Sequence, residues 1–274
     1  MINSYYKVAI TGASGLIGSR VIELLKKDFI FLPLKSTDID ITNRLLVEQR
    51  LSSLDFDLLL HLAAYTNVDE AVKNKELAYK VNVEGTNNLF QAVNNLGKKF
   101  IYISTDHVFS GQNPPYTEDS QPDPINYYGW TKYKGEEIVK GKAMIIRTSY
   151  PYRQKFAKKK DFVRVIRERL ETNMEVTMAT DCQITPTFID DFVFGLAYLL
   201  KNFQINIYHL VGSESLSPFT SGKKIASKFG LNDKLIKPIT YEAYFSSREK
   251  RPKYSIIKSK NNHFFPMSRF LEKW

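Results

Sequence analysis

The segment TGASGLIG, residues 11–18, constrains the fold of this chain more than any other part of its sequence. Its three glycines lie between an apolar run that predicts a buried strand (7–10) and a pattern that predicts a helix (19–27). Glycines at such a junction permit a tight turn and a close approach of phosphate, while the helix N-terminus supplies free N–H groups. An ordinary strand–helix turn can also contain glycines, but this context favours a dinucleotide site.

The same alternation of strand and helix continues along the chain. It predicts an α/β fold with a doubly wound parallel sheet (Rossmann type) that helices cover on both faces. Strands are predicted at 7–10, 29–34, 57–64, 99–106, 143–149 and 205–212, and helices at 19–27, 45–54, 76–97, from 127 onward, 161–170 and 187–201.

The pattern loosens after residue 150, which suggests two parts. We expect a dinucleotide-binding domain at 1–149 and a small substrate-binding lobe mainly at 150–274, with 185–210 returning to the larger domain. The net charge of +10 comes entirely from the second part. Such an excess can attract nucleic acid, a membrane or a small anionic substrate, or can be a solvated surface. Because no zinc-finger or RNA-binding signature accompanies it, we do not expect a nucleic-acid partner.

Hydropathy and cysteine content bear on the compartment. No apolar run approaches the ~18 residues that span a bilayer, and the N-terminus has no signal-peptide architecture. Cys182 is the single cysteine, which excludes an internal disulfide and fits a reducing compartment. We therefore expect a cytoplasmic protein with no membrane partner. We find no cluster of metal ligands and predict no metal.

A tyrosine and a lysine lie four positions apart in INYYGWTKYKGE (125–136), at Tyr128 and Lys132. On a helix this spacing places both side chains on one face, where the ammonium group favours phenolate and lowers a pKa that is normally about 10. A chain with 16 tyrosines is expected to contain the spacing by chance, and it recurs at Tyr254 and Lys258. The spacing alone therefore does not identify a proton-transfer site.

Further short motifs are spread along the chain. They are the glycine pattern at 12–18, AAYTNVDEAV (63–72), VNVEGTNNL (81–89), STDHVFSG (104–111), YTED (116–119), PINYYGWTKYKGE (124–136), IIRTSY (145–150), Pro186-Thr187, YHLVG (208–212) and RPKYS (251–255). Each motif is short, but together they resemble the extended short-chain dehydrogenases/reductases, and within these the sugar-nucleotide reductases typified by dTDP-4-dehydrorhamnose reductase. They run in family order over nearly the whole chain.

The resemblance distinguishes the two tyrosine pairs, because the family pair follows the strand that ends at Thr105. It implies that Tyr128 is the general acid, that Lys132 tunes its pKa and holds the nicotinamide ribose, and that Thr105 orients the substrate carbonyl. Tyr254 and Lys258 are assigned to structure or surface. The implied cofactor-binding residues are Gly12, Ser14, Gly15, Leu16, Ile17, Gly18, Lys35, Ser36, Asp40, Ile41, Ala63, Ala64, Tyr65, Tyr128 and Lys132, and the implied substrate-binding residues are Val68, Thr105, Asp106, Tyr128, Tyr150 and Arg251.

The end of the second predicted strand bears on the cofactor. NAD-binding members usually carry an acid there for the ribose 2′-hydroxyl. This chain has Lys35 and Ser36, which suit a 2′-phosphate better, so NADP(H) is favoured. Asp38 is close enough to keep NAD(H) as an alternative.

Other positions depart from the family pattern. His107 stands where related dehydratases use a Glu for water elimination, which disfavours dehydration, and we expect a packing or loop role for it. Ser104 is expected to face away from the site on an alternating strand. Tyr150 replaces a usual Trp. Arg251, in the Arg-Pro motif, is expected to contact a pyrophosphate.

These observations predict NADPH-dependent reduction of the 4-keto group of a nucleotide-activated deoxysugar, with dTDP-4-dehydrorhamnose as the first substrate to consider. Two alternatives stay open. One is an NADP-binding regulatory subunit similar to the methionine adenosyltransferase β subunit, and the other is a sugar-nucleotide epimerase. The expected partner is a nucleotide sugar, with a homodimer as a further possibility.

Overall fold

The computed structural model describes residues 6–274. Within these described residues, ten strands and ten helices alternate along much of the sequence. The strands are β1 (Lys7–Thr11), β2 (Ile30–Leu34), β3 (Leu58–His61), β4 (Lys99–Thr105), β5 (Met144–Thr148), β6 (Pro151–Tyr152), β7 (Val176–Ala179), β8 (Thr187–Phe188), β9 (Ile207–His209) and β10 (Ile236–Ile239). The helices are α1 (Gly18–Leu25), α2 (Arg44–Ser52), α3 (Val68–Lys73), α4 (Lys75–Tyr79), α5 (Gly85–Asn95), α6 (Tyr127–Val139), α7 (Phe162–Glu171), α8 (Ile189–Lys201), α9 (Pro218–Phe229) and α10 (Tyr241–Tyr244).

Six strands form one parallel sheet in the order β2-β1-β3-β4-β5-β9. β1 pairs with β2 on one side and with β3 on the other, so the order of the strands reverses direction there. In doubly wound sheets a ligand binds outside the carboxyl ends of the strands at such a switch point. The predicted α/β fold with a doubly wound parallel sheet is confirmed.

Both faces of this sheet are buried, because successive side chains of a strand point to opposite faces. Val8 and Ile10 pack with α1 and α8 in one hydrophobic cluster. Ala9, between them, belongs to a second cluster that includes residues of α2, α5 and α6. This two-sided burial explains why the strands read as almost continuous apolar runs.

A third hydrophobic cluster contains no residue of the six-stranded sheet. It joins α7 and α9 to β7 and β10, which pair in parallel, and to the chain end around Phe270. A second small parallel pair, β6 with β8, lies in the same part of the chain. Strands β6, β7, β8 and β10 and helices α9 and α10 carry weak local signals, and the sequence did not predict them.

Several predicted boundaries differ from the structure. The strand predicted at 57–64 ends at His61, and Thr187 and Phe188 form β8 before α8 begins. The helix predicted at 76–97 is α4 and α5 joined by a π-helical turn, Lys80–Glu84. π-Helical turns often mark functional sites, and this one contains the buried Asn82. Within residues 6–274, no helix has both the length and the apolar character required to cross a bilayer.

Candidate active site

A cavity of about 970 Å³ opens at the carboxyl edge of the sheet, where the ends of β1, β3, β4 and β5 meet. Every residue predicted to bind cofactor or substrate lines it, with the exception of Tyr65. Asn82 explains the position of Tyr65, because its side-chain amide accepts from the Tyr65 N–H (2.7 Å) and donates to the Tyr65 carbonyl (3.1 Å). Asn82 also donates to Thr131 Oγ1 (2.9 Å) and so joins the loop after β3 to α6.

Other lining residues were not predicted. Three of them lie next to predicted residues or at a strand end: Thr66 follows Tyr65, Pro151 follows Tyr150, and Thr148 ends β5. Extending the predicted segments by one or two residues would have included them. Ser104 also lines the cavity, although alternation along β4 suggested that it would face away. Lys159 lies within a basic run and had no motif to identify it.

The glycine-rich loop has the backbone geometry that a pyrophosphate site requires. Gly12 has a φ of +66°, and a Cβ at this position would lie 2.7 Å from the carbonyl carbon of Leu62. A Cβ on Gly18 would lie 2.4 Å from the Gly12 carbonyl oxygen. The N-cap of α1, Ile17, forms no side-chain cap. Because the Ser19, Arg20 and Val21 N–H groups already donate to the Gly15 and Ile17 carbonyls, the N–H groups available to an anion are those that precede them, where the loop joins the helix. These features fit a dinucleotide.

Arg153 holds this loop from the second half of the chain. Its guanidinium donates to the Leu16 carbonyl (3.3 Å), to Ser19 Oγ (3.0 Å) and to Glu23 (2.8 Å), and the side chain is buried. No local sequence signal indicated this contact, because its partners lie more than a hundred residues away in the sequence.

The end of β2 presents a cation and a hydroxyl to the cavity, Lys35 and Ser36. Asp38 does not line the cavity, since its carboxylate accepts from the Lys35 N–H (3.3 Å) and from Thr37 Oγ1 (3.0 Å). Asp40 lines the cavity, and its Oδ1 accepts from the N–H and the hydroxyl of Thr42 at 2.9 and 2.8 Å. This end therefore suits a ribose 2′-phosphate.

Helix α6 places Tyr128 and Lys132 one turn apart beside the end of β4. Asn126 caps the helix by accepting from the Gly129 N–H (2.8 Å), which fixes where its first turn begins. Thr105, the last residue of β4, donates to Asp106 Oδ1 at 3.0 Å. The three predicted catalytic residues thus converge on one wall of the cavity.

Burial raises the pKa of Tyr128 above its ordinary value, the Thr105 hydroxyl opposes this rise, and Asp106 adds to it. The expectation from sequence that the pKa of this phenol is lowered is therefore wrong for this structure. The consequence is that the hydroxyl keeps its proton near neutral pH, which is the form that a general acid requires.

Lys132 is buried, with its Nζ 4.0 Å from the centre of the Tyr102 ring. Burial lowers the pKa of Lys132 to about 7, against the opposing effect of Glu136. The Tyr102 hydroxyl donates to the Lys132 carbonyl (3.3 Å), and Gly135 makes room for it, since a Cβ there would lie 2.2 Å from that hydroxyl oxygen.

A buried ion pair joins α6 to β5, between Glu136 and Arg147. Arg147 donates to both carboxylate oxygens of Glu136, at 2.8 and 2.6 Å, and both side chains are almost fully buried. His209 Nε2 accepts from the same guanidinium (3.3 Å), and His209 Nδ1 donates to the Lys258 carbonyl (2.7 Å). Burial lowers the pKa of His209 to about 4, so the ring is neutral and can make both bonds.

The predicted substrate side of the cavity contains Arg251 and Tyr150. Arg251 forms a two-bond ion pair with Asp69 (2.7 and 2.8 Å), a partner that sequence reasoning missed. Hydrogen bonds from Arg251 hold the pKa of Asp69 below its usual value. Tyr150 has a φ of +40°, which is unusual for a non-glycine residue and is typical of functional sites.

Two other sequence expectations concern residues near the site. His107 is buried, its Nδ1 lies 3.2 Å from the Asn126 amide nitrogen, and its ring packs edge-on against Tyr128, which agrees with a packing role. Tyr254 and Lys258, the second pair with the same spacing, are exposed and lie outside any helix. This agrees with their assignment to structure or surface.

Comparison with known proteins agrees with this geometry. A dTDP-4-dehydrorhamnose reductase from Bacillus anthracis, solved in complex with NADP, is 33% identical and superposes with a TM-score of 0.89 over 97% of this chain and 95% of that one. The dTDP-4-dehydrorhamnose reductase of Mycolicibacterium smegmatis is 29% identical over 93% of this chain and 79% of its own length. Methionine adenosyltransferase 2 subunit beta of Bos taurus is 26% identical over 85% of this chain and 75% of its length.

One family description covers almost the whole chain. Residues 6–268 match the RmlD substrate binding domain, which includes both the glycine-rich loop and the cavity residues near the chain end. The residues that match this family and those that superpose on the Bacillus anthracis reductase include the parallel sheet and the residues that line its cavity. The chain belongs to the RmlD substrate binding domain family.

Proposed function

We propose that this protein is an oxidoreductase that uses NADPH to reduce the 4-keto group of a nucleotide-activated deoxysugar, first of all dTDP-4-dehydrorhamnose to dTDP-rhamnose. One observation carries the proposal: a single cavity contains the glycine-rich loop, the Lys35–Ser36 end of β2 and the Thr105, Tyr128 and Lys132 side chains. The NADP complex of the Bacillus anthracis relative supports the choice of cofactor.

Each residue has a defined part in the proposed reaction. Bound NADPH supplies the hydride. Gly12, Gly15 and the junction of the loop with α1 bind its pyrophosphate, and Lys132 holds the nicotinamide ribose. The Thr105 hydroxyl donates to the substrate carbonyl oxygen and orients it, and the Tyr128 hydroxyl transfers its proton to that oxygen as the alcohol forms.

We also propose which part of the chain binds the cofactor and which part binds the substrate. Residues 1–149 together with 185–210 bind the dinucleotide, and the remainder of 150–274 forms the lobe that binds the nucleotide sugar. The separate hydrophobic cluster of α7, α9, β7 and β10 supports this division.

The buried, unpaired Cys182 supports a reducing, cytoplasmic location. A homodimer stays a prediction.

The proposal is tested by mixing the purified protein with NADPH and a panel of nucleotide-linked 4-keto-6-deoxysugars while the absorbance of the reduced nicotinamide is followed. We expect consumption of NADPH with one member of the panel. No consumption with any member, while NADPH still binds, would contradict the reductase function and favour the regulatory subunit.

The two alternatives have separate signatures in the same experiments. A regulatory subunit would bind NADP and co-purify with a second protein. Because the chain is similar to methionine adenosyltransferase 2 subunit beta, co-purification should be checked. An epimerase would interconvert two nucleotide sugars without net consumption of cofactor. A regulatory subunit does not require a phenol that holds its proton beside Thr105, which the structure contains.

The pH dependence of the reaction follows from the two buried groups. The Lys132 ammonium loses its proton as the pH rises through about 7, while the raised pKa of Tyr128 keeps the phenol protonated. We expect kcat/KM, which reports the free enzyme, to fall on the alkaline side of pH 7. A profile of kcat/KM from pH 5 to 10 measures this. In Lys132→Arg, whose side chain stays charged, the fall of kcat/KM above pH 7 should be absent. A wild-type profile that is flat to pH 9 would contradict the assignment.

A further inference from the structure

We propose that Lys159, bridged to Thr66 at the rim of the cavity, binds the diphosphate group of the nucleotide-activated substrate. This inference rests on the proposed function and specifies how the substrate is recognised. Lys159 belongs to the basic run KFAKKK (155–160), whose sequence suggested a solvated surface as readily as a binding role. In the structure, Lys159 lines the same cavity as the catalytic residues.

The contact itself joins two distant parts of the chain. Lys159 Nζ donates to Thr66 Oγ1 at 3.3 Å, across 93 positions of sequence. Both residues are exposed and both line the cavity, so the bridge lies where the cavity meets solvent. An ammonium group and a hydroxyl side by side can both donate to phosphate oxygens.

The backbone that carries Lys159 is fixed by a buried anchor. The Arg164 guanidinium donates to the Lys159 carbonyl (2.6 Å), to the Phe156 carbonyl and to the Asp161 carboxylate (2.8 Å). Asp161 is buried, and it also accepts from the Arg153 N–H at 3.1 Å. The fold therefore fixes the backbone of Lys159, and its ammonium group makes one hydrogen bond, to the neutral hydroxyl of Thr66.

The charges around the cavity single out the same residue. Four cationic side chains line it: Lys35, Lys132, Lys159 and Arg251. Arg251 is paired with Asp69, Lys132 is buried against Tyr102, and Lys35 lies at the far end by β2. Within residues 6–274, Lys159 has no carboxylate at ion-pair distance, so its charge is available to an anionic ligand.

The surroundings favour the substrate over the cofactor as the source of that anion. A dinucleotide also contains a diphosphate, but the glycine-rich loop and its junction with α1 already provide N–H groups for it. Thr66 is two positions before Val68, and Lys159 lines the same cavity as Tyr150, so both partners share the cavity with residues predicted to bind the sugar nucleotide. The neighbouring Lys158 does not line the cavity and provides a matched control.

The test measures binding by calorimetry, with dTDP and NADP⁺ as separate probes of the full chain. Since a hydrogen bond to a charged group is lost, Lys159→Ala should weaken dTDP binding by about 10-fold or more and leave the Kd for NADP⁺ unchanged. Lys158→Ala should alter neither. Lys159→Arg, which keeps the charge, should restore most of the dTDP affinity, and Thr66→Val should show a smaller loss than Lys159→Ala.

Three outcomes would overturn the proposal. Unchanged affinity for both probes in Lys159→Ala would show that the lysine binds no phosphate. Weaker binding of NADP⁺ alone would assign it to the cofactor instead. Wild-type protein that binds NADP⁺ but not dTDP would remove the proposed function together with this inference, so failure of the function is distinguishable from failure of the lysine alone.

Discussion

Replacing Tyr128 with phenylalanine is expected to lower the rate of ketone reduction by about 10²–10⁴-fold, the usual contribution of a positioned acid. The substitution removes the proton that passes to the substrate oxygen and keeps the ring that packs against His107. Because the glycine-rich loop and Lys132 are untouched, the Kd for NADPH should stay close to that of the wild type. Steady-state kinetics and a fluorescence titration with NADPH measure the two quantities.

The chain contains a matched control for this substitution. Tyr254 precedes Lys258 with the same spacing but is exposed and non-helical, so Tyr254→Phe should retain full activity. Full turnover in Tyr128→Phe would remove the phenol from the mechanism. Loss of NADPH binding in that variant would instead show that the phenol holds the cofactor.

The parts of the site that sequence reasoning located depend on local signals. Gly12 lies between a strand and a helix because no other residue accepts its positive φ and its 2.7 Å approach to Leu62 without strain. Apolar runs buried on both faces similarly predict the strands of the six-stranded sheet. Such features leave a pattern within a few residues, and the family resemblance then adds the roles of Thr105, Tyr128 and Lys132.

What sequence reasoning missed are contacts between residues that are far apart in the chain. Arg153 contacts Leu16, Arg251 pairs with Asp69, and Lys159 reaches Thr66. Nothing in the local pattern around these charged residues distinguishes a buried or bridging side chain from a solvated one. The direction of the Tyr128 pKa shift failed for a related reason, because it depends on burial by the whole fold and not on the spacing to one lysine.

Replacing Arg147 with methionine is expected to cost about 3–5 kcal/mol of the free energy of unfolding, the usual loss when one partner of a buried ion pair is removed. The reason is that Glu136 would remain almost fully buried without the two bonds of 2.6 and 2.8 Å that satisfy it. His209 Nε2 would lose its donor as well. Urea denaturation followed by circular dichroism measures the change.

A double variant separates the unpaired charge from the loss of packing against Phe109, over which the guanidinium lies at 5.0 Å. Arg147→Met combined with Glu136→Leu removes both charges, and it should recover much of the stability because apolar replacement of a whole buried pair is often close to neutral. Lys134→Met, which breaks the exposed pair with Glu137 on the same helix, should leave the urea midpoint unchanged. If Arg147→Met were as stable as the wild type, the ion pair would contribute nothing to holding α6, and the position of Lys132 would depend on the Asn126 cap, on the bond from Asn82 to Thr131 and on Tyr102.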